Sequence, residues 1–392
     1  MAAYSAAKKG NSVTVLEKNE KAGKKIYITG KGRCNVTNDT CPEDFFENVV
    51  HNPKFLKGCI YNLSPEKMMR FLEEGGLALK TERGNRVFPL SDKASDVTKC
   101  LENYCRNEGV RFCFSENVLS VSKVGESFIV KTENKTYMSK SVVVATGGVS
   151  YPGTGSTGDG YKIAQSLGIK VVPPKPALCG ICCDMKPLRE LQGLSLKNVQ
   201  LSAFNKEKKL IRSFFGEMLF THYGISGPIV LSLSSLLNDI PLQSVRLRID
   251  LKPALSEEIL DQRILRDFDK HQNKQICHAL RDLLPKNLIL PILRQASILY
   301  TKPVNLVKRE ERAALVQALK GFGVRPLSLR PISEAIVTAG GVDVSEINPK
   351  DMQSKRVKGL YFCGELLDVD AFTGGYNLQI AFSTGYAAGS NI

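Results

Sequence analysis

Residues 12–17, Ser-Val-Thr-Val-Leu-Glu, form a short β-branched run that ends on an acid and follows an alanine-rich stretch, AAYSAAKK, of helical composition. A helix, then a buried strand, then a terminal carboxylate is the second half of a dinucleotide-binding unit, in which that acid takes hydrogen bonds from ribose hydroxyls. Glutamate ends many strands, so Glu17 alone is a weak signal. The first half of such a unit, a strand running into a glycine-rich turn, does not precede it here. A parallel α/β sheet is therefore expected, with a vacant strand position lined by VTVLE and by the YFCGE strand near the C-terminus. Met1 is accordingly read as an internal methionine, with a longer natural product expected. A genuine truncation is the alternative, and it would hold a dinucleotide poorly.

The pattern downstream supports the α/β reading. Residues 65–74 and 92–107 have helical apolar spacing, with Ala94, Val97, Leu101, Tyr104 and Cys105 on one face. Strands are expected at 111–115, 118–124, 127–132 and 142–145. After Pro173, Pro174 and Pro176 the texture changes to short strands, among them 199–203, 209–214 and 244–250, and then to helices over 255–320. A strand at 360–363 and a closing helix from about Asn377 return to the first pattern. The fold class is thus a doubly wound α/β unit interrupted by inserted segments.

Composition excludes several classes. No stretch reaches the roughly 18 apolar residues of a membrane span, and no basic-then-apolar leader opens the chain. A cytoplasmic protein without a membrane partner is expected. The 11 cysteines are odd in number and scattered, which fits reduced thiols better than a disulfide framework. The one cluster, LCGICCD with Cys179, Cys182 and Cys183, lacks a second pair and a nearby histidine, so a buried strand is preferred to a redox or metal site, and no metal is expected. The net charge of +15 favours anionic partners. The basic residues are spread along the chain, so a solvated basic background beside a phosphate-bearing cofactor is preferred to a nucleic-acid surface.

Two glycine-bearing segments complete the candidate site. The strand VVVATGG delivers Thr146, Gly147 and Gly148, where backbone can approach a flat or phosphate-bearing ligand. In GELLDVDAFTGGYNLQ, Gly374 and Gly375 precede a helix whose N-terminal N–H groups suit developing negative charge. Asp368 or Asp370 in the loop between them is placed to hold hydroxyls.

These segments, with EKNEKAGKKIYITGKGRCNVTN (17–38), RVFP (86–89), ATGGVSYPGTGSTGDGY (145–161), GEMLFTHYGISGP (216–228) and TAGGVD (338–343), resemble the BaiN-type flavoproteins, also called aminoacetone-oxidase-like, in order across nearly the whole chain. The resemblance implies a Rossmann-like FAD-binding domain of glutathione-reductase type, interrupted by an inserted β-barrel domain and a small helical domain. The corresponding divisions are 1–172 and 339–392 for the FAD domain, 173–252 and 321–338 for the barrel, and 253–320 for the helices.

The same resemblance assigns cofactor-binding roles. Glu17, followed by Lys18, is matched to the ribose, and Lys24 and Lys25 lie beside the expected pyrophosphate path. Gly30, Gly32, Arg33, Cys34 and Asn35 line the flavin side. Val118 is placed at the adenine. Thr146, Gly147, Thr157, Gly158 and Asp159 form a second flavin loop, and Gly364, Glu365, Asp368, Gly374, Gly375, Tyr376, Asn377 and Leu378 form a C-terminal cradle. FAD is expected to be non-covalent, with NAD(P)H a candidate electron donor. The implied activity is hydride transfer with a small organic substrate, either reduction of a conjugated C=C in a steroid-like enone or oxidation of a small amino ketone. A basic RNA-modifying flavoprotein and a non-catalytic remnant are the alternatives. His222 and Tyr223, in the domain expected to cover the flavin, and Tyr151 and Tyr376 are candidate proton donors. For His222 a turn or core role competes, and for the tyrosines simple packing.

Overall fold

The computed structural model describes all 392 residues. Two compact units are present: Met1–Ala177 with Pro331–Ile392, and Leu178–Arg330.

In the first unit the strands run β1 (Thr14–Glu17), β2 (Thr37–Asn38), β3 (Leu79–Glu82), β4 (Arg86–Pro89), β5 (Arg111–Phe114), β6 (Val118–Val124), β7 (Ser127–Thr132), β8 (Thr136–Ser139), β9 (Val142–Val144) and β10 (Val171–Ala177). Helices α1 (Ala2–Lys8), α2 (Pro42–Phe46), α3 (Lys57–Asn62), α4 (Pro65–Glu74), α5 (Ala94–Asn107) and α6 (Asp159–Ser166) lie among them. The start of α4 shows why these residues begin a helix: Pro65 occupies the first turn and Ser64 Oγ accepts from the Lys67 N–H at 3.3 Å.

The second unit holds β11 (Ile181–Cys183), β12 (Ser195–Phe204), β13 (Leu210–Phe220), β14 (Gly224–Ser226), β15 (Arg246–Asp250), β16 (Phe322–Val324) and β17 (Pro326–Leu329). Its helices are α7 (Pro228–Leu237), α8 (Glu257–Lys270), α9 (Ile276–Ala279), α10 (Lys286–Gln295) and α11 (Arg309–Lys320). The chain then re-enters the first unit as β18 (Val337–Val342), β19 (Leu360–Phe362) and α12 (Tyr376–Ser390).

The parallel part of the first unit consists of two separate strand pairs. Strand β1 runs parallel to β5, with Glu17 opposite Phe114. Strand β9 runs parallel to β19, with Val144 opposite Phe362. Strands β1, β5 and β9 each have one edge without a ladder partner, and the edges of β1 and β9 flank the vacant position. This corrects the expectation that YFCGE would line the vacant position. The far edge of β19 is already occupied, because Phe362 N–H donates to Met352 O at 3.1 Å and Ser354 N–H donates to Leu360 O at 2.7 Å.

Helix α12 organises the rest of this unit. It packs on α1 through small residues: a Cβ on Gly389 would stand 2.1 Å from Ala2 O and 2.2 Å from Ser5 Oγ. Ser5 Oγ bridges the pair, donating to Met1 O at 2.9 Å and lying 3.3 Å from Tyr386 O. The opposite side of α12 meets α3, where Gln379 Nε2 and Ser383 Oγ both donate to the buried Leu63 carbonyl at 2.8 Å. Phe45, Phe128, Leu360, Phe362 and Ile380 form one apolar core around it.

The inserted unit is a rolled sheet that hydrogen bonds do not close into the expected barrel. Its seven strands run in the order β16-β15-β12-β13-β14-β11-β17, and the two end strands do not pair with each other. They are consecutive in the chain, so the backbone bends at Arg325 from one edge of the sheet to the other. Pro326 follows the bend and has no N–H to extend the ladder. Helices α8, α10 and α11 share a single apolar core with this sheet, built on Leu201, Phe220, Ile249, Leu288 and Leu315. No helix of the structure is long and apolar enough to cross a membrane.

Candidate functional site

The cofactor-binding residues singled out in the sequence lie in the first unit, most of them in segments that follow β1, β9 and β19. Glu17 closes β1. Its Oε1 accepts from the Asn19 N–H at 2.8 Å and from Asn19 Nδ2 at 2.7 Å, while Oε2 takes no hydrogen bond from the protein. Lys18 reaches the second loop, donating to Thr157 Oγ1 at 2.6 Å and Asp159 Oδ2 at 2.7 Å. Partial burial pulls the Asp159 pKa up. The Lys18 and Thr157 hydrogen bonds together outweigh that pull and hold it below the ordinary aspartate value. Val118 opens β6, opposite Thr132, and is half-buried.

The GKGRCN turn is tightly folded, with Gly30, Lys31, Gly32 and Cys34 all at positive φ. Cys34 is fully buried beneath it, and burial pushes its thiol up to about 12. Arg33 turns to the β3–β4 hairpin, where it pairs with Glu82 at 2.8 Å and Asp92 at 3.2 Å and stacks over Phe88 at 4.1 Å. Asn35, with its amide oriented to suit its neighbours, donates to Thr37 O and Val87 O and accepts from the Gly375 N–H at 3.0 Å. The turn and the C-terminal cradle are thereby fastened together.

In that cradle Gly375 has φ +98°, and a Cβ there would sit 2.3 Å from Thr37 O. Asn38 Nδ2 donates to Gly374 O at 3.0 Å. The Asn377 side chain imitates a backbone pair, accepting from Ala371 N–H at 3.0 Å and donating to Ala371 O at 2.8 Å. Leu378 packs on the core beneath α5. Gly364 N–H donates to Thr384 Oγ1 at 3.0 Å, which ties the turn after β19 to α12. Glu365 receives Lys25 at 2.7 Å, whereas Lys24 pairs with Glu20 at 3.2 Å and stays outside the loops. Thr146 is exposed, with its Oγ1 against Gly160; Gly147 has φ +73°, and Gly158 precedes α6 at φ +80°.

The two loop aspartates differ. Asp368 is half-buried beside Asn52, and burial raises its pKa. Asp370 is fully buried and bonded to His51 Nδ1, while its Oδ2 has no partner. The His51–Asp370 pair was not legible in the sequence, because nothing local connects residues so far apart. Ser150 and Thr338 were also missed as site residues, although Thr338 opens the TAGGVD segment. Tyr161 places a buried hydroxyl without a partner in the same region, and burial with the charges of Glu365 and Asp368 raises its pKa.

The candidate proton donors are not brought together. His222 is exposed in the turn between β13 and β14, edge-on to Tyr223 at 5.0 Å between ring centres. The Arg330 guanidinium lies 4.5 Å from the Tyr223 ring centre. Tyr151 stands in the loop of the first unit at positive φ, and Tyr376 is buried edge-on to Phe45 at 5.3 Å. Of the LCGICCD thiols, Cys182 and Cys183 lie on β11, and burial pushes Cys183 up to about 12.

The structure itself permits a fit test for FAD. No side chain caps α12, so the first-turn N–H groups of Tyr376, Asn377 and Leu378 are left for an electron-rich edge. Glu17 keeps one carboxylate oxygen for a hydroxyl. These residues fit the group. Together the fold and this arrangement define an FAD-dependent oxidoreductase of Rossmann-like type.

Comparison with known proteins gives the family. Residues 1–391 match the family described as "HI0933-like protein Rossmann domain", and the chain belongs to it. It is 32% identical over 391 residues to a protein of Escherichia coli (strain K12) named ribosomal RNA dihydrouridine synthase, covering 99% of this chain and 93% of that one. It is 29% identical over 379 residues to the 3-dehydro-bile acid delta(4,6)-reductase of Clostridium scindens, covering 96% and 91%. Among solved structures, the 3-ketosteroid delta1-dehydrogenase from Sterolibacterium denitrificans is similar in fold, with a TM-score of 0.51 at 13% identity, covering 100% of this chain and 96% of that one.

Proposed function

We propose that this protein reduces a C=C bond conjugated with a carbonyl group, using non-covalently bound FAD with NAD(P)H as the electron donor. The observation that carries the reading is a shared bond change. Saturating the 5,6 bond of uridine and reducing a 4,6-unsaturated 3-oxo steroid both add hydride and a proton across an alkene made electron-poor by a carbonyl, and the relatives' names specify these two reactions. FAD, when bound, supplies the hydride chemistry.

The chain's own residues provide the setting. The uncapped start of α12 would stabilise negative charge at the pyrimidine edge of the ring. Glu365, Asn35 and Asn377 fix the backbone around it. Glu17, with Lys18 and Val118 nearby, would hold the adenosine end. Thr146, Thr157 and Asp159 shape the second loop, and Gly30, Gly32, Arg33 and Cys34 the first.

A second reading concerns what carries the alkene. The relatives' names give two carriers, a uridine within ribosomal RNA and a 3-oxo bile acid. One experiment separates the two. Protein reduced with NADPH under anaerobic conditions is mixed with a uridine-containing ribosomal RNA transcript or with a 4,6-dien-3-oxo steroid, and flavin reoxidation is followed. Reoxidation by the transcript with formation of dihydrouridine supports RNA, and reoxidation by the steroid supports the small molecule. Reoxidation by neither, with turnover of an amino ketone in air, overturns the C=C reading. Heat or acid denaturation is expected to release FAD itself into the filtrate.

Glu17→Ala is expected to weaken FAD binding about ten- to hundredfold while the protein remains folded, as befits loss of a hydrogen bond to a charged group. Titration of flavin fluorescence reads the change. An unaltered dissociation constant removes Glu17 from the ribose site.

A further inference from the structure

Lys25, expected beside the pyrophosphate path, lies within a closed polar network. Its Nζ donates to Glu365 Oε2 at 2.7 Å and to Ser150 Oγ at 2.6 Å, and lies 3.4 Å from Ser150 O. The other carboxylate oxygen of Glu365 accepts from Ser150 Oγ at 2.8 Å and from the Thr338 N–H at 2.9 Å. Thr338 Oγ1 in turn accepts from the Val149 N–H at 2.9 Å and the Ser150 N–H at 3.1 Å. The network closes on itself around Gly148, where a Cβ would stand 2.3 Å from Thr338 Oγ1 and 3.0 Å from Glu365 Oε1.

We propose that Lys25 is a positioning residue, a strut that fixes the Glu365 carboxylate and the 148–150 loop at the flavin end of the site, and not a ligand of the cofactor's phosphates. The proposal rests on the FAD reading above. Its ammonium directs its two shortest contacts into the network, and the Lys25 and Glu365 side chains are only 24% and 18% exposed. Drawing Lys25 away to a phosphate would leave a largely buried carboxylate without its cation, a costly state. Lys24, four residues from its partner Glu20 and outside the loops, shows how a lysine of the same segment behaves when it has no such role.

The test compares Lys25→Met, Lys25→Arg, Glu365→Gln and the Lys25→Met/Glu365→Gln double variant in the full chain, with FAD and ADP as separate probes. If Lys25 is a strut, Lys25→Met weakens FAD binding by about tenfold or more but leaves ADP binding unchanged. Lys25→Arg restores FAD binding, and the double variant is no worse than the weaker single one. Equal weakening of FAD and ADP by Lys25→Met makes it a phosphate ligand and overturns the proposal. Thermal unfolding of the flavin-free variants reads the strut without any cofactor: non-additive shifts support it, and additive shifts overturn it. If the unaltered protein binds no FAD, the cofactor reading fails, and the unfolding cycle still decides the strut.

Discussion

Gly375→Ala is expected to yield a protein that retains no flavin and unfolds at markedly lower temperature. The residue sits at φ +98°, a conformation that an L side chain adopts only under strain. The new methyl would meet Thr37 O at 2.3 Å and Thr37 C at 2.4 Å. Both are backbone atoms in β2 and cannot swing aside as a side chain would. Thr37 is itself held by its Oγ1 bond to the buried Gln379 at 2.7 Å. Relief must come from moving the start of α12, which breaks the Asn35 contact to the Gly375 N–H and turns the first-turn donors away from their target. Strain and overpacking of this kind cost about 2–4 kcal/mol. Flavin absorbance per protein, measured beside thermal unfolding, checks both parts. Wild-type flavin content in Gly375→Ala contradicts the placement of the ring at α12.

The second large effect is expected at the other end of the same helix. Gly389→Val puts a branched side chain where a single Cβ already lies 2.1 Å from Ala2 O and 2.2 Å from Ser5 Oγ. Helices α1 and α12 must separate, exposing apolar surface at Ala2 and Ala6, and a loss of about 2–4 kcal/mol is expected. Gly385→Ala is the control one turn earlier. Its Cβ meets Ala2 N and Met1 Cβ at 3.4 Å, a contact that a small shift accommodates. Alanine also favours a helix over glycine by about 0.8–1 kcal/mol. Denaturant unfolding should therefore rank Gly385→Ala at or above the unaltered protein and Gly389→Val well below it. The reverse order contradicts close packing of α1 on α12.

The sequence reveals those parts of the fold that are written locally. The period of 3.6 in α5, the β-branched runs of β1 and β9 and the Gly-Gly start of α12 each announce an element within a dozen residues. The cradle at Gly375 and the acid at the end of β1 were legible for the same reason. The charge of Lys25 suggests phosphate, while Glu365, the carboxylate it bonds, lies 340 residues further on, where no local pattern points to it. His51 and Asp370 are 319 residues apart, and no pattern links them. The open β9 edge was assigned to β19 because a sequence does not tell which side of a strand a later loop will cover. The barrel expectation is met only by an unclosed sheet, for a similar reason. Short strands with turns were visible, but the bend at Arg325 is a matter of long-range pairing, Val324 with Leu247 on one side and Leu329 with Ile181 on the other.

Strand β9 has a single hydrogen-bonded neighbour, β19, and more than two hundred residues of chain separate the two. During translation at about 5–20 residues per second, β9 leaves the ribosome and waits on the order of tens of seconds for its partner. The inserted unit, by contrast, is contiguous from Leu178 to Arg330 and has its whole core in hand once α11 and β17 have emerged. Order of synthesis therefore favours the insertion as the first part to mature, while the flanking nucleotide-type sheet remains an open half-product with bare strand edges. A ribosome stalled after β17 has emerged and before β19 has would carry a finished insertion on an unfinished host.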